Sequence, residues 1–219
     1  MAEIDAWETE VRVRQVRSPI PDLAFRYAKR LFDVAFAIAL LPIFLLAWFV
    51  VSLLNPLGNP GPVFFVQDRM GRDQTPFRMV KFRTMTAAAP DRARDRAPEA
   101  ALEVARITPF GAVMRRLRID ELPQVLNVLL GDMSVIGPRP DCLEHAAHYL
   151  PRVRGYAARY AVSPGITGLA QIEVGYVEGL DGTRRKVEAD MRYIARQGFA
   201  QETAIVLRTV GVILRAEGR

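Results

Sequence analysis

Asp120 and Glu121 are adjacent carboxylates among Arg115, Arg116 and Arg118, in the stretch RRLRIDELPQVLNVLLGDMSVIGPRP from Arg115 to Pro140. Leu122, Val125, Leu126 and Leu129 follow at the i, i+3, i+4, i+7 spacing of one helix face. Pro123 suits only a first helical turn, where its missing N–H has no partner to lose, and Gly131 is a natural stop. The pattern predicts a helix with Asp120 at its N-cap and Glu121 in its first turn. A helix start offers unpaired N–H groups and the positive end of the macrodipole, and arginines add forked donors suited to phosphate. Two readings stand at this point. Either the carboxylates do phosphate chemistry, one oxygen as nucleophile and one as metal ligand, or they form an ordinary cap with a flanking ion-pair network.

Other stretches could serve such a site. Gly137-Pro138-Arg139-Pro140 is stiff, because two prolines fix φ on either side of one arginine. Val63 to Val66 reads as a strand, Gln67 to Gln74 as a turn, and Phe77 to Met85 (FRMVKFRTM) as a second strand. Its alternation turns Arg78, Lys81 or Arg83 outward, toward solvent or toward a phosphate. Pro109 to Leu117 reads as a helix, and Tyr149 to Tyr160 as a basic helix whose Arg152, Arg154 and Arg159 suit a membrane surface. Ser163 to Gln171 (SPGITGLAQ) is a loop that brings backbone near a ligand or simply turns. Val174 to Thr183 reads as loop, and Arg184 to Gln197 as a helix carrying Asp190 and Tyr193. Thr203 to Leu214 is apolar but too short to span a bilayer. Glu144, His145 and His148 lack further ligands at metal spacing and read as surface or capping residues.

The chain has 219 residues and a net charge of +6, its only lysines being Lys29, Lys81 and Lys186. A basic balance suits nucleic acid, an anionic membrane or phosphorylated substrates. No helix-turn-helix, RNP-like or zinc-finger pattern supports nucleic acid. The one cysteine, Cys142, forbids an intrachain disulfide. Residues 1–24 read as a flexible polar extension and 87–101 as a loop; the acidic start is unlike a signal peptide. Residues 25–55 are the membrane question. Leu31 to Leu54 is long enough to span, but basic residues flank both sides and Pro42 lies near its middle. A helix broken at Leu41-Pro42 that re-enters one leaflet and a plain spanning helix both fit.

In order, KRLFDVAFA (Lys29 to Ala37), GPVFFVQDRMGR (Gly61 to Arg72), KFRTM (Lys81 to Met85), RITPFG (Arg106 to Gly111), DELPQVLNVLLGDMSVIGPRP (Asp120 to Pro140) and PGITGLAQ (Pro164 to Gln171) resemble the bacterial sugar transferase family. These are monotopic polyprenyl-phosphate phosphoglycosyl transferases. The resemblance runs from about residue 25 to the C-terminus and matches the short, catalytic-domain form. It implies an α+β, mostly helical fold with a re-entrant helix-break-helix segment at 25–55, a small β element and amphipathic interfacial helices. Residues 56–219 would form a catalytic domain on the cytoplasmic face of the bacterial inner membrane. Asp120 would attack the β-phosphorus of a UDP-sugar, release UMP and hold the phosphosugar, which a polyprenyl phosphate, usually undecaprenyl, would then accept. Glu121 would help to hold Mg²⁺. Arg115 matches a phosphate-binding arginine of the family, Arg139 lies in its Pro-Arg-Pro loop, and Lys81 and Arg83 of KFRTM, with Asp190 and Tyr193 downstream, match further substrate-site positions. Ala170 stands where the family often has tryptophan, and Glu173 to Arg185 departs from its usual pattern, both in a region that could set specificity. The rival readings are a non-catalytic membrane scaffold and a hydrolase that yields free sugar phosphate. A homodimer is compatible with either.

Overall fold

The computed structural model describes residues 23–86, 104–175, 177 and 179–214. The expected loop at 87–101, and the expected extension up to residue 22, lie outside them. The first helix, α1 (Leu23–Gly58), runs without interruption through Leu41 and Pro42 and contains Pro56 as well. Pro42 is exposed, so its ring and the backbone bond it forfeits face away from the rest of the chain. Asp33, Ala37, Phe44, Val51 and Asn55 are buried at spacings of four and seven, which is one seam of a helix. Leu31, Ile38, Leu46, Phe49, Leu53 and Leu57 are exposed around it. Among the described residues α1 is the one helix long and apolar enough to cross a membrane.

Polar groups at both ends of α1 grip the rest of the domain. Near the start, Arg30 donates to the carbonyls of Val128 and Leu129 at 2.6 and 2.9 Å. Asp33 accepts from Ser134 Oγ and Val135 N at 3.0 and 2.9 Å. Near the end, Asn55 donates to the Gly61 carbonyl at 2.7 Å, and Asn59 to that of Arg83 at 2.6 Å.

The strands β1 (Phe64–Met70) and β2 (Pro76–Phe82) form an antiparallel hairpin with Val66 opposite Val80 and Phe65 opposite Lys81. Its inner face is aromatic: Phe82 stacks on Phe64 and on Phe44 of α1, with centroids 5.4 and 6.1 Å apart. Helix α2 (Pro109–Arg116) begins at Thr108, whose hydroxyl accepts from Gly111 N at 2.9 Å. Helix α3 (Gln124–Leu130) ends at Gly131, with φ of 94°. The expected cap differs: Asp120 is not the N-cap of α3. Pro123 holds that position, and Ile119–Glu121 form a separate 3-10 turn.

Asn127 of α3 docks on the outer edge of β2 as a strand would. Its Oδ1 accepts from Val80 N at 3.1 Å and its Nδ2 donates to the Arg78 carbonyl at 2.8 Å.

The chain continues through β3 (Ser134–Ile136), α4 (Leu143–Tyr149), β4 (Gly165–Thr167), α5 (Leu169–Glu173), α6 (Gly179–Ala195) and α7 (Phe199–Leu214). Strands β3 and β4 pair in parallel. Here the glycines of GPRP and PGITG explain each other: a Cβ on Gly165 would overlap the backbone of Gly137, and one on Gly137 would overlap Ser163 O. The SPGITGLAQ stretch is therefore a strand and a helix start, with its backbone against backbone. Two other expectations are corrected. No basic helix spans Tyr149 to Tyr160, and Arg159 is buried in a 3-10 turn, not displayed. Helix α6 starts at Gly179, inside the expected loop. Among the described residues the fold is α+β, mostly helical, with two small sheets and one long apolar helix compatible with membrane association.

Asn127→Ala would leave Val80 N–H and the Arg78 carbonyl without partners, at a cost of about 2–4 kcal/mol. In detergent the melting temperature should fall by roughly 5–12 °C. A wild-type melting temperature would show that water replaces the amide.

Candidate active site

The 3-10 turn of Ile119–Glu121 projects the two carboxylates after Arg118, a non-glycine residue with φ of 55°. Left-handed backbone costs an L-residue about 1 kcal/mol. That turn also brings Arg118 back to within 3.7 Å of the Glu121 carboxylate. Arg139 donates to the other Glu121 oxygen, Oε1. Burial pushes the Glu121 carboxyl up, but the charge and hydrogen bond of Arg139, helped by Arg118 and Lys81, hold it below its ordinary value.

Asp120 is different. It is buried, and among the described residues it makes no hydrogen bond or ion pair. Burial, then the neighbouring Glu121 charge, raises its pKa to about 6 against the pull of Lys81, Arg115 and Arg139. One carboxylate is thus tied down and ionised, and the other is held free. A largely buried carboxylate with no bonding partner and cations around it is poised as a nucleophile or ligand more than as a structural group.

Lys81 reaches this place from β2, lying 5.3 Å above the Phe65 ring. Burial lowers its pKa to about 8, with Arg69 and Arg139 adding to the effect and Asp120 and Glu121 opposing it. Arg115 acts on Asp120 through its field from the last turn of α2. The structure therefore gathers Asp120, Glu121, Arg115, Arg139 and Lys81. Arg83 is used otherwise: it donates to the carbonyls of Pro62 at 2.7 Å, Met85 at 3.1 Å and Asn59. Those bonds fix the chain between α1 and β1. Leu41 and Pro42 belong to α1 and touch none of these groups through any polar contact.

Asp190 and Tyr193 lie behind the arginine loop and do not contact the carboxylates. Asp190 accepts from Arg159 Nε at 2.6 Å, and Arg159 Nη2 donates to the carbonyl of Arg139 at 2.9 Å. Asp141 binds Arg159 too, together with Lys186 and the Tyr156 hydroxyl, both at 2.6 Å. Although burial opposes it, Arg159 and Lys186 hold the Asp141 carboxyl well below its usual range. Tyr193 donates to Glu202 at 2.7 Å, with the carbonyl of Ile136 at 3.1 Å. Sequence reasoning missed Arg69, Asp141 and Lys186, and it turned Arg159 toward a membrane surface instead of the interior. Arg69 lies inside GPVFFVQDRMGR and Arg159 just before SPGITG, but nothing in either stretch says that the charge is buried. Ala170, in α5, is buried, and Glu173 pairs with Arg192 and Arg208 at 2.6 and 3.3 Å.

No group of three or more candidate metal ligands occurs among the described residues. Two carboxylates nevertheless fit Mg²⁺, which commonly takes one or two from protein and the rest from phosphate and water. Asp120 has uncommitted oxygens and Glu121 adjoins it, so these are the two carboxylates that such an ion would use. With cations on several sides, the arrangement can bind a diphosphate, stabilise charge on a displaced phosphate and present a carboxylate oxygen to phosphorus.

The family model for bacterial sugar transferases matches residues 24–216. The UDP-N-acetylgalactosamine-undecaprenyl-phosphate N-acetylgalactosaminephosphotransferase of Aeromonas hydrophila is 37% identical over 204 residues, which is 93% of this chain and 48% of that protein. The UDP-glucose:undecaprenyl-phosphate glucose-1-phosphate transferase of Caulobacter vibrioides is 37% identical over 214 residues, 95% of this chain and 78% of that one. The like-named enzyme of Escherichia coli K12 is 37% identical over 187 residues, 84% of this chain and 40% of that protein. The chain thus spans about half the length of some relatives and most of others. The carboxylate pair, the Pro-Arg-Pro loop and the basic strand all fall inside the matched span, and the chain belongs to the bacterial sugar transferase family.

Proposed function

We propose that this chain is an undecaprenyl-phosphate sugar phosphotransferase, moving a sugar 1-phosphate from a UDP-sugar to the lipid phosphate. The observation that carries the reading is the free, buried Asp120 carboxylate beside a Glu121 already committed to Arg139. An Asp120 oxygen forms a bond to the β-phosphorus of the UDP-sugar, and the bond from that phosphorus to the bridging oxygen breaks, releasing UMP. A phosphate oxygen of the polyprenyl phosphate then bonds to the same phosphorus and the Asp120 carboxylate leaves, giving the polyprenyl diphosphate sugar. Splitting the displacement this way lets a soluble donor and a lipid acceptor use one site in turn. Arg139, Arg115 and Lys81 supply fixed positive charge for the diphosphate. Mg²⁺, held by Glu121 with Asp120, would neutralise charge on the diphosphate. Arg159 and Asp190 hold the loop, and their part in the reaction is to keep Arg139 in place.

Retention of this whole constellation favours an enzyme over a scaffold. The step would open the assembly of a surface polysaccharide at the inner membrane, with the domain on the cytoplasmic face. Because Lys29, Arg30 and Asp33 at one end of α1 and Asn55 and Asn59 at the other bind the same domain, a course that keeps both ends on one membrane face is favoured over a span that separates them. A membrane-impermeant maleimide should therefore label Arg26→Cys and Leu57→Cys from the same side, in inside-out vesicles and not in intact cells. Labelling from opposite sides would establish a spanning helix.

Asp120→Asn should lower UMP release by about a thousandfold or more. Its fold should not suffer. With the folded pKa raised to about 6, the Asp120 contribution is full below about pH 4 and is lost as pH rises through 6. In metal-free buffer at pH 7.5 the variant should melt no lower than wild type, and up to several degrees higher. Normal turnover by this variant would sink the mechanism.

Lys81 carries its charge below about pH 8 and loses it above. The rate with saturating Mg²⁺ should fall on that alkaline side, and Lys81→Arg should extend the plateau upward by more than one pH unit. An alkaline limb that does not move would show that Lys81 is not the titrating group.

A further inference from the structure

The loop from Ile136 to Asp141 is held through its carbonyls. Ile136 O accepts from Lys29 Nζ at 3.1 Å, Pro138 O from Gly165 N at 2.9 Å and Arg139 O from Arg159 Nη2 at 2.9 Å. Pro140 O accepts from Arg69 Nη1 at 3.1 Å, and Asp141 O from Met70 N at 2.9 Å. Pro138 and Pro140 have no N–H to give, so the backbone around Arg139 must be fixed largely from outside.

Two guanidinium groups do this beside Arg139 itself. Arg159 is anchored by Asp141 and Asp190. Among the described residues Arg69 has no carboxylate partner. Its Nη2 donates to Gln67 Oε1 at 2.7 Å, and its Nε is buried without a partner. The charges near it include two cations, Lys81 and Arg139, alongside Asp141 and Glu144. A buried cation so placed carries its desolvation cost with no carboxylate in contact to offset it. What Arg69 supplies is a fork braced on Gln67 of its own strand that reaches the Pro140 carbonyl, next to the backbone bridge between Arg69 and Cys142.

We propose that Arg69 is a positioning residue for the transfer reaction: by holding the Pro140 carbonyl it fixes the direction in which Arg139 leaves the loop and meets Glu121. This rests on the transferase reading above. The test compares wild type, Arg69→Met and Arg69→Lys, each alone and combined with Arg139→Ala, in nanodiscs with Mg²⁺ and undecaprenyl phosphate. UMP release is followed with UDP-glucose and UDP-N-acetylgalactosamine as donors. Arg69→Met should lower kcat by about 10–100-fold and leave KM for the donor within about threefold. Arg69→Lys, which keeps the charge but cannot brace two acceptors, should not restore it. In the Arg139→Ala background the same Arg69 changes should cost less than about twofold, because two residues acting through one group are not additive.

Amide exchange over residues 137–148 without substrate gives a readout independent of turnover, and should quicken in Arg69→Met. Equal losses of kcat in both backgrounds, a loss confined to KM, or unchanged exchange would each overturn the proposal. If wild type releases no UMP from either donor, the transferase reading with those donors fails, and the exchange result still decides whether Arg69 holds the loop.

Discussion

Placing proline on both sides of Arg139 removes amide donors where the chain most needs to be rigid. The direction of one guanidinium therefore depends on donors brought from elsewhere in the sequence. The first helix sends Lys29, the hairpin sends Arg69 and Met70, the 3-10 turn before β4 sends Arg159, and β4 itself sends Gly165. Much of the architecture can be understood as the set of packings that bring those groups to one short loop. The buried charges among them require partners, which is why Asp141 and Asp190 sit there and why Lys186 and Tyr156 converge on Asp141.

What was legible in the sequence was what local chemistry determines. Thr108-Pro109 announced a helix start, Gly131 a helix stop, and the carboxylates and Arg139 stood out by residue type and by the prolines around them. The cap assignment failed by one turn. Asp120 and Pro123 both have the residue type for a helix start, and Leu122 and Pro123 stand between the 3-10 turn of the carboxylates and α3. Arg159 failed for a different reason. An arginine beside tyrosines and alanines looks solvated until Asp141 and Asp190 arrive from 18 and 31 residues away. Asp190 and Tyr193 were noticed as chemistry-bearing, but whether they touch a substrate or a loop is a tertiary question. Their contacts are with the loop's supports.

Helix α1 reconciles two demands that usually belong to different proteins. Its buried seam supplies Ala37, Phe44 and Val51 to the main core, so the domain is not complete without it. Its remaining faces are apolar and exposed, an arrangement that water disfavours and acyl chains do not. Polar residues occur in the seam only near its ends, at Asp33 and Asn55, and each has a partner in the domain. The helix is thus docked by hydrogen bonds near its ends and by packing between them.

Asn127 has a consequence for how copies of this protein coexist. A two-stranded hairpin offers unpaired backbone groups along both borders, and such borders recruit strands from neighbouring molecules. The amide of Asn127 occupies Val80 N–H and the Arg78 carbonyl, the groups that a foreign strand would need. The border of β1 is closed at Met70 by Asp141. Crowded side by side in two dimensions, molecules with these borders left open would have a ready route into fibrils; sealed, they can accumulate at high surface density and stay separate.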